Sequence, residues 1–98
     1  MKILTYFLPQ FYATPENDKY WGKGFTDWNN VKSAVPLYEG HNQPITTAEL
    51  GFYDLSDKVN FKKVCDYSLE KGVDGFCYWH YWFGNGRQTL EKIQEMHL

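Results

Sequence analysis

Aromatic and amide side chains are concentrated in two stretches of this sequence, and together they could bind a sugar. Residues 22–44 contain three asparagines with one tryptophan, one tyrosine, one histidine and one glutamine, and residues 78–83 read Tyr-Trp-His-Tyr-Trp-Phe. A pyranose ring has apolar C–H faces that stack on aromatic planes, and hydroxyls that need hydrogen-bond donors and acceptors. The sequence therefore predicts glycan contact by Trp28, Asn30, His41, Gln43, Tyr78, His80 and Tyr81.

Two kinds of contact are expected from these residues. Trp28 and Tyr78 would stack on sugar rings, whereas Asn30, Gln43 and His80 would form hydrogen bonds with hydroxyls. A structural role is the alternative for each of them. The aromatic residues, 19% of the chain, could form a core, and the polar side chains, histidines included, could bind loop backbone.

No catalytic residue is identified by pattern. Asp27 is the one candidate acid, and its structural alternative is a turn residue or a helix cap. Glycosidic chemistry normally uses a pair of carboxylates. The available carboxylates, Asp27, Glu39, Glu49, Asp54 and Asp74, show no spacing that singles out such a pair.

Other chemistries lack their motifs in this sequence. The three histidines lack zinc-ligand spacing, the short glycine-rich turns are not phosphate loops, and no serine nucleophile elbow is present. We therefore predict neither a metal nor a cofactor. A net charge of −2 gives no electrostatic reason to expect nucleic acid as a partner.

The location predicted from the sequence is the cytoplasm. No apolar run approaches the ~20 residues of a membrane-spanning helix, so no membrane span is expected. Cys65 and Cys77 lie in apolar periodic segments and are predicted to be buried, reduced thiols. Both features are typical of a soluble protein in a reducing compartment.

Two strands and two helices must position the candidate residues. Residues 2–8 and 73–80 are predicted as strands, and the continuous apolar run of the first is typical of a parallel strand covered on both faces. Residues 9–55 are predicted to be irregular apart from a short helical turn around residues 28–34. A turn is expected at residues 84–86, with a helix over residues 87–98.

The helix between the two strands has the clearest signals. Its signals begin at Ser56-Asp57, with Asp57 as a negative charge in the first turn, Lys71 as a positive charge in the last turn, and Gly72 as a left-handed cap. Its buried stripe is expected to consist of residues at helical spacing: Phe61, Val64, Cys65, Ser68 and Leu69.

This order of elements predicts an α/β fold, specifically an N-terminal fragment of a (β/α)₈ TIM-type barrel. The fragment would hold about two β/α units, with a long loop after the first strand. Two strands and two helices cannot cover both faces of a sheet alone. We therefore expect residues 1–98 to be the incomplete N-terminal portion of a single barrel domain. The remainder of the barrel, or a partner chain, would complete the fold.

Several blocks of the sequence resemble a known family. "YFLPQFYATPENDKYWGKGFTDWNNVKSAVPLYEGHNQP", "LGFYDL" and "DGFCYWHYWFGNGRQTLEK" resemble the opening of the WbsX-like glycosyltransferases of surface-polysaccharide clusters. Their domain is similar to glycoside hydrolase family 99. The resemblance spans residues 4–95 and places at motif positions Trp21, Gly24, Phe25, Trp28, Asn30, Val31, His41, Gln43, Pro44, Asp54, Gly75, Phe76, Tyr78, His80 and Trp82.

The resemblance implies a (β/α)₈ barrel, action on glycans, and a role in bacterial O-antigen or capsule assembly. The related hydrolases retain anomeric configuration, with carboxylates from later strands that activate the sugar's own 2-hydroxyl and protonate the leaving group. Residues 1–98 would therefore carry part of a sugar-binding rim without the catalytic pair. Whether the parent is a transferase or a hydrolase stays open.

Departures from the family pattern affect the candidate acid. The family usually has Glu at the position of Asp27, and Tyr20, Asn29, Asn42 and Trp79 also differ from the residues expected there. An aspartate is one methylene shorter than a glutamate, which argues against direct catalysis by Asp27. Two other readings remain: a non-catalytic glycan-binding module, or an incomplete structural fragment of a barrel whose aromatic residues form its core.

Overall fold

The computed structural model describes residues 1–97, and within them the fold is mixed α/β. The described chain forms four helices and two separate two-stranded sheets. The elements are β1 (Leu4–Phe7), α1 (Pro15–Trp21), α2 (Asp27–Ser33), α3 (Lys58–Glu70), β2 (Gly75–Tyr78), β3 (Tyr81–Trp82), β4 (Gln88–Thr89) and α4 (Lys92–His97).

The two predicted strands are confirmed, and they pair with each other in parallel. The register runs from Leu4 opposite Gly75 to Phe7 opposite Tyr78. Asp74 extends the pairing at the amino end, because its backbone N–H donates to the Ile3 carbonyl over 2.8 Å and its carboxylate accepts from the Ile3 N–H over 2.7 Å. Parallel neighbours need a long crossover between them, which the chain from β1 through α3 supplies.

The helix α3 has ends close to those predicted, with Asp57 as its N-cap residue instead of a residue of the first turn. The Asp57 carboxylate accepts from the Val59 N–H over 2.8 Å at the amino end. At the other end Gly72 adopts a φ of +92°, which a residue with a Cβ adopts at a cost. The N–H groups of Gly72 and Val73 then donate to the carbonyls of Leu69 and Ser68 over 3.0 and 2.9 Å, the hydrogen bonds of a Schellman motif.

One face of the β1–β2 sheet is covered. We call the side with Phe7, Phe76 and Tyr78 the covered face, because these rings contact one another and pack on the core. The Phe7 and Phe76 rings stack with centroids 4.4 Å apart. The core is built from α3, α4 and the loop after β1, and its buried members are Tyr12, Leu55, Phe61, Val64 and Ile93.

The other face of this sheet is open to solvent. We call the side with Leu4, Tyr6 and Cys77 the open face, where 65% of Leu4 and 88% of Tyr6 are exposed. The prediction that the first strand is covered on both faces is therefore wrong for the described chain. Both cysteines were predicted to be buried, but Cys77 is exposed and Cys65 is half-buried; both are free thiols in the structure.

The region predicted to be irregular contains two short helices. The turn expected around residues 28–34 is confirmed as α2. The helix α1 was missed, although its signals are present: the Thr14 hydroxyl accepts from the Asn17 N–H over 3.2 Å, and Pro15 occupies the first turn. Part of the predicted α3 stripe also differs, since Leu69 is 65% exposed.

The segment after β2 forms a hairpin that the sequence analysis did not predict. The predicted turn at residues 84–86 is confirmed, but it joins β3 to β4 in antiparallel pairing, with Tyr81 opposite Thr89 and Trp82 opposite Gln88. The helix predicted over residues 87–98 begins only at Lys92, because the preceding residues belong to this hairpin; Leu98 lies outside the described residues. Within residues 1–97, no helix has both the length and the apolar character to cross a bilayer.

Candidate functional site

A cleft of about 420 Å³ lies between the segment that follows β1 and the segment that follows β2. Its lining comes wholly from residues 10–30 and 81–90. Both segments leave the carboxyl ends of neighbouring parallel strands, where α/β proteins build their ligand sites. The volume falls in the range of roughly 300–1,000 Å³ that is usual for ligand pockets.

The first wall of the cleft is an aromatic pair on the α1–α2 corner, an exposed Trp21 and a half-buried Phe25. Trp21 stacks on Phe25 with ring centroids 5.5 Å apart, and 68% of Trp21 is still exposed. The corner is held by Asp18, whose carboxylate accepts from the Gly24 N–H over 2.9 Å. Gly24 has a φ of +80°, so its turn conformation suits glycine. The Trp21 ring is therefore presented on a braced corner.

The second wall is the β3–β4 hairpin. The Tyr81 and Phe83 rings are near-parallel, with centroids 6.2 Å apart, and both line the cleft. The Arg87 guanidinium lies 5.5 Å from the Phe83 ring centroid, a cation–π distance. The hairpin turn is closed by the Phe83 N–H, which donates to the Arg87 carbonyl over 2.9 Å.

Polar side chains of mixed character complete the lining. Asn17 and Asn30 contribute amides, Glu16 and Asp27 contribute carboxylates, and Arg87 contributes a cation. Aromatic faces beside amides suit a ligand with apolar ring faces and many hydroxyls. Within the described part of the chain, no group of three or more His, Cys, Asp or Glu side chains is arranged to hold a metal ion.

Three of the residues predicted from sequence meet in this cleft: Asp27, Asn30 and Tyr81. Asp27 occupies the first turn of α2, where its negative charge also complements the helix dipole. The cap position of α2 is Thr26, so the helix-cap alternative weighed for Asp27 is wrong, whereas its place in the cleft is compatible with a site residue.

Trp28 does not line the cleft; its side chain packs on neighbouring loop residues. Its ring stacks on Phe11 with centroids 4.2 Å apart, and its Nε1–H donates to the Tyr53 carbonyl over 2.8 Å. The edge of Trp28 also meets Phe52. These contacts fix α2 against the loop that precedes α3, the structural alternative considered for this tryptophan.

Tyr78 lies on the covered face of the sheet. Its ring meets Phe7 edge-on with centroids 5.6 Å apart. Burial raises the pKa of Tyr78 to about 12, because the charged phenolate would lose its solvation there. Tyr78 therefore packs against the core, on the covered face of the sheet.

His41 and Gln43 lie together in the connection between α2 and α3, outside the cleft. The His41 ring stacks on Tyr38 at 4.5 Å, and its Nδ1 accepts from the Leu37 N–H over 3.2 Å. Gln43 donates through Nε2 to the His41 carbonyl over 3.2 Å. The Gln43 Oε1 is buried and has no hydrogen-bond partner among the described residues.

His80 is exposed just beyond the carboxyl end of β2. Its Nδ1 lies 2.6 Å from Oε1 of Gln94, a residue of α4. Gln94 in turn donates through Nε2 to the Trp79 carbonyl over 3.0 Å. His80 is therefore held by a side chain from the following helix.

Several cleft residues were missed by the sequence analysis as candidates for ligand contact. The most prominent lie on α1: Glu16, Asn17, Tyr20 and Trp21, the last of which the resemblance had placed at a motif position without a predicted ligand contact. They fall at i, i+1, i+4 and i+5, which is one side of a helix. Recognition of the Thr14-Pro15 start of α1 would have placed them on a common face. Arg87 was missed because a helix was expected where the hairpin stands.

Comparisons with known proteins give one family and two close relatives. The family model described as "Glycosyltransferase WbsX" matches residues 3–98. Two proteins named "Uncharacterized protein WxcX", from strains B100 and ATCC 33913 of Xanthomonas campestris pv. campestris, are each 45% identical to the chain over 89 residues. The match covers 91% of this chain but 13% of each relative, so the chain spans a small part of their length. No solved structure matches significantly.

Proposed function

The chain belongs to the WbsX glycosyltransferase family, and from that premise we propose that it forms the first part of a carbohydrate-active (β/α)₈ barrel enzyme. The substrate is a glycan of bacterial surface polysaccharide, and the enzyme acts on glycosidic bonds in O-antigen or capsule assembly. Residues 1–98 form the N-terminal portion of one barrel domain similar to glycoside hydrolase family 99. Catalysis belongs to a longer polypeptide, and the 98-residue chain alone is inactive.

The barrel is supported by the two faces of the parallel sheet. In a (β/α)₈ barrel the helices lie outside the strands, and the inner face of each strand packs on other strands. The covered face contacts the core that includes α3, whereas Leu4 and Tyr6 on the open face are mostly exposed. The open face would become the barrel interior when further strands are added.

The position of the cleft is the observation that carries the glycan-binding proposal. All of its lining residues follow the carboxyl ends of β1 and β2, the end at which barrel enzymes bind their substrates. In this proposal Trp21 stacks on a sugar ring, while Asn17, Asn30 and Tyr81 form hydrogen bonds with hydroxyls. Contact by Trp28, His41, Gln43, Tyr78 and His80 stays a prediction, to be tested with the longer polypeptide.

The cytoplasm is the proposed location of the enzyme. The two cysteines of the chain are unpaired, which suits a reducing compartment. Activated sugar donors made in the cytoplasm would then be available to a transferase. The fractionation of the longer polypeptide in cells tests this location.

Substitution of the exposed tryptophan tests the cleft. The chain is titrated with oligosaccharides prepared from bacterial O-antigens and capsules, and binding is followed by heteronuclear NMR. Trp21→Ala is expected to weaken binding about fivefold, because a stacked aromatic contributes roughly 1 kcal/mol. Trp82→Ala is the matched control, since Trp82 is similarly exposed, at 60% against 68%, and does not line the cleft. Equal effects of the two substitutions would contradict glycan binding in this cleft.

A second candidate, an incomplete structural fragment that folds only with a partner, is favoured by the open face alone. Amide hydrogen exchange combined with sedimentation distinguishes it from an independent glycan-binding module. Protection of both β1 and β2 in a monomer would support the module. Protection only in an assembly would support the fragment, and glycan binding should then be sought in the longer polypeptide.

A further inference from the structure

The side chain of Gln94 connects two groups at the carboxyl end of β2. Its Nε2 donates to the Trp79 carbonyl over 3.0 Å, and its Oε1 lies 2.6 Å from Nδ1 of His80. A backbone carbonyl only accepts hydrogen bonds, so the amide nitrogen of Gln94 must face Trp79. This fixes the amide orientation from the hydrogen-bond network and places an oxygen against His80.

The orientation of Gln94 determines where His80 carries its proton. The Oε1 atom of an amide has lone pairs and no hydrogen, so Nδ1 of His80 must be the donor in this contact. In the neutral imidazole the other nitrogen, Nε2, is then unprotonated and can accept a hydrogen bond. The tautomer of the exposed His80 ring is thus set by a residue of α4.

We propose that Gln94 is a positioning residue that holds neutral His80 as the Nδ1–H tautomer, so that His80 Nε2 forms an acceptor site for a hydroxyl group of the ligand. The identification of that hydroxyl as one of a sugar rests on the proposed function, whereas the tautomer does not. His80 lies two residues beyond β2 and directly before Tyr81, which lines the cleft, although His80 itself is not part of the lining.

This acceptor distinguishes between ligand groups. An unprotonated Nε2 takes a hydrogen bond from a hydroxyl, but it gives none to a carboxylate or a phosphate, which only accept. The site therefore favours a neutral hydroxyl-bearing group at this position over an anionic one. Without the contact to Gln94, the ring could present either nitrogen as a donor.

The tautomer is measured directly by long-range ¹H–¹⁵N NMR of the imidazole nitrogens in the ¹⁵N-labelled chain, at a pH where the histidines are neutral. The His80 signals are identified by their loss in His80→Gln. The expected result is a protonated Nδ1 and an unprotonated Nε2 in the wild-type chain. Gln94→Met keeps a side chain of similar length but removes the acceptor oxygen, and it should shift His80 towards the Nε2–H form.

Two further variants separate a specific role of Gln94 from general disturbance. Gln94→Glu keeps an acceptor oxygen and should retain the Nδ1–H tautomer, even if its contact to Trp79 is lost. Glu95→Met, the neighbouring substitution on α4, should leave the His80 signals unchanged. An Nε2–H tautomer in the wild-type chain, or an Nδ1–H tautomer that persists in Gln94→Met, would overturn the proposal. Neither readout depends on glycan binding, so the proposed function can fail independently.

Discussion

The two faces of the β1–β2 sheet share the same strands but have opposite surroundings. On the covered face, the rings of Phe7, Phe76 and Tyr78 pack on one another and on the core. On the open face, Leu4 and Tyr6 are mostly exposed. Alternate residues of one strand point to opposite sides, so a single apolar run supplies both surfaces.

The covered face is packed by residues of this chain, whereas the open face is left accessible to a further layer. An exposed apolar sheet face is unusual in a soluble monomer and commonly marks an interaction surface. The covered face shows that the local sequence can complete one layer of packing. The open face shows where a further layer, in our proposal the other strands of a barrel, would add to the stability of the domain.

The largest expected effect is on the free energy of unfolding. It comes from replacing one leucine in the core and one leucine on the open face by alanine. Leu55→Ala should lower the free energy of unfolding by about 2–5 kcal/mol, because Leu55 is fully buried in the core under the covered face. Leu4→Ala, on the open face, should change it by less than about 0.5 kcal/mol. Urea denaturation of both variants measures the contrast. Similar losses would show that the open face is covered in solution.

An intermediate loss of folding stability is expected at alkaline pH. Burial raises the pKa of Tyr12 and of Tyr78 to about 12, above the unfolded value of roughly 10. A folded pKa above the unfolded value means that the stabilisation is complete below pH of about 10 and is lost as pH rises towards about 12.

The measurement is the urea midpoint of the wild-type chain and of Tyr12→Phe/Tyr78→Phe between pH 9 and 12. The double variant should lose less stability over this interval, since phenylalanine does not titrate. Lysine titration is common to both proteins and is removed by the comparison. An identical loss in the two proteins would show that neither phenol is desolvated on the covered side.

The smallest effect is expected in a labelling experiment, which compares the reactivity of the two cysteines in the folded chain. Cys77 lies on the exposed side of β2, whereas Cys65 is half-buried on α3, and burial raises the pKa of the Cys65 thiol, with Asp66 adding to the shift. The thiolate is the reactive form. Brief treatment with N-ethylmaleimide should therefore label Cys77 before Cys65, as measured by mass spectrometry of peptides. Labelling of Cys65 and Cys77 at the same rate in the folded chain would contradict the exposure of Cys77 on the open face.

Elements with local signals were predictable from sequence. The helix α3 has a capping Asp57, a periodic stripe and Gly72, and the structure has it within a residue or two of the expected ends. Both parallel strands were also predicted from their apolar runs. The exposure of Leu4 could not be predicted, because an apolar run indicates burial on both faces without showing whether the covering layer belongs to the same segment.

The candidate site was predictable only in part. Asn30 and Tyr81 reach the cleft, because the carboxyl ends of parallel strands meet at one edge of a sheet. Trp28 carries the same ring chemistry as Trp21, and only the packing on Phe11 reveals that its face is occupied. The hairpin wall arises from pairing between Tyr81 and Thr89, a contact that the local helical pattern after residue 87 concealed.

The contact between Asp74 and Ile3 has a consequence for synthesis of the protein. The Asp74 carboxylate and N–H bind both backbone groups of Ile3, a residue 71 positions earlier. At roughly 5–20 residues per second, the ribosome needs about 4–14 s to add Asp74 after Ile3. During that interval β1 is an unpaired apolar strand of the nascent chain. The register of the sheet can therefore be established only once Asp74 has been added and binds Ile3.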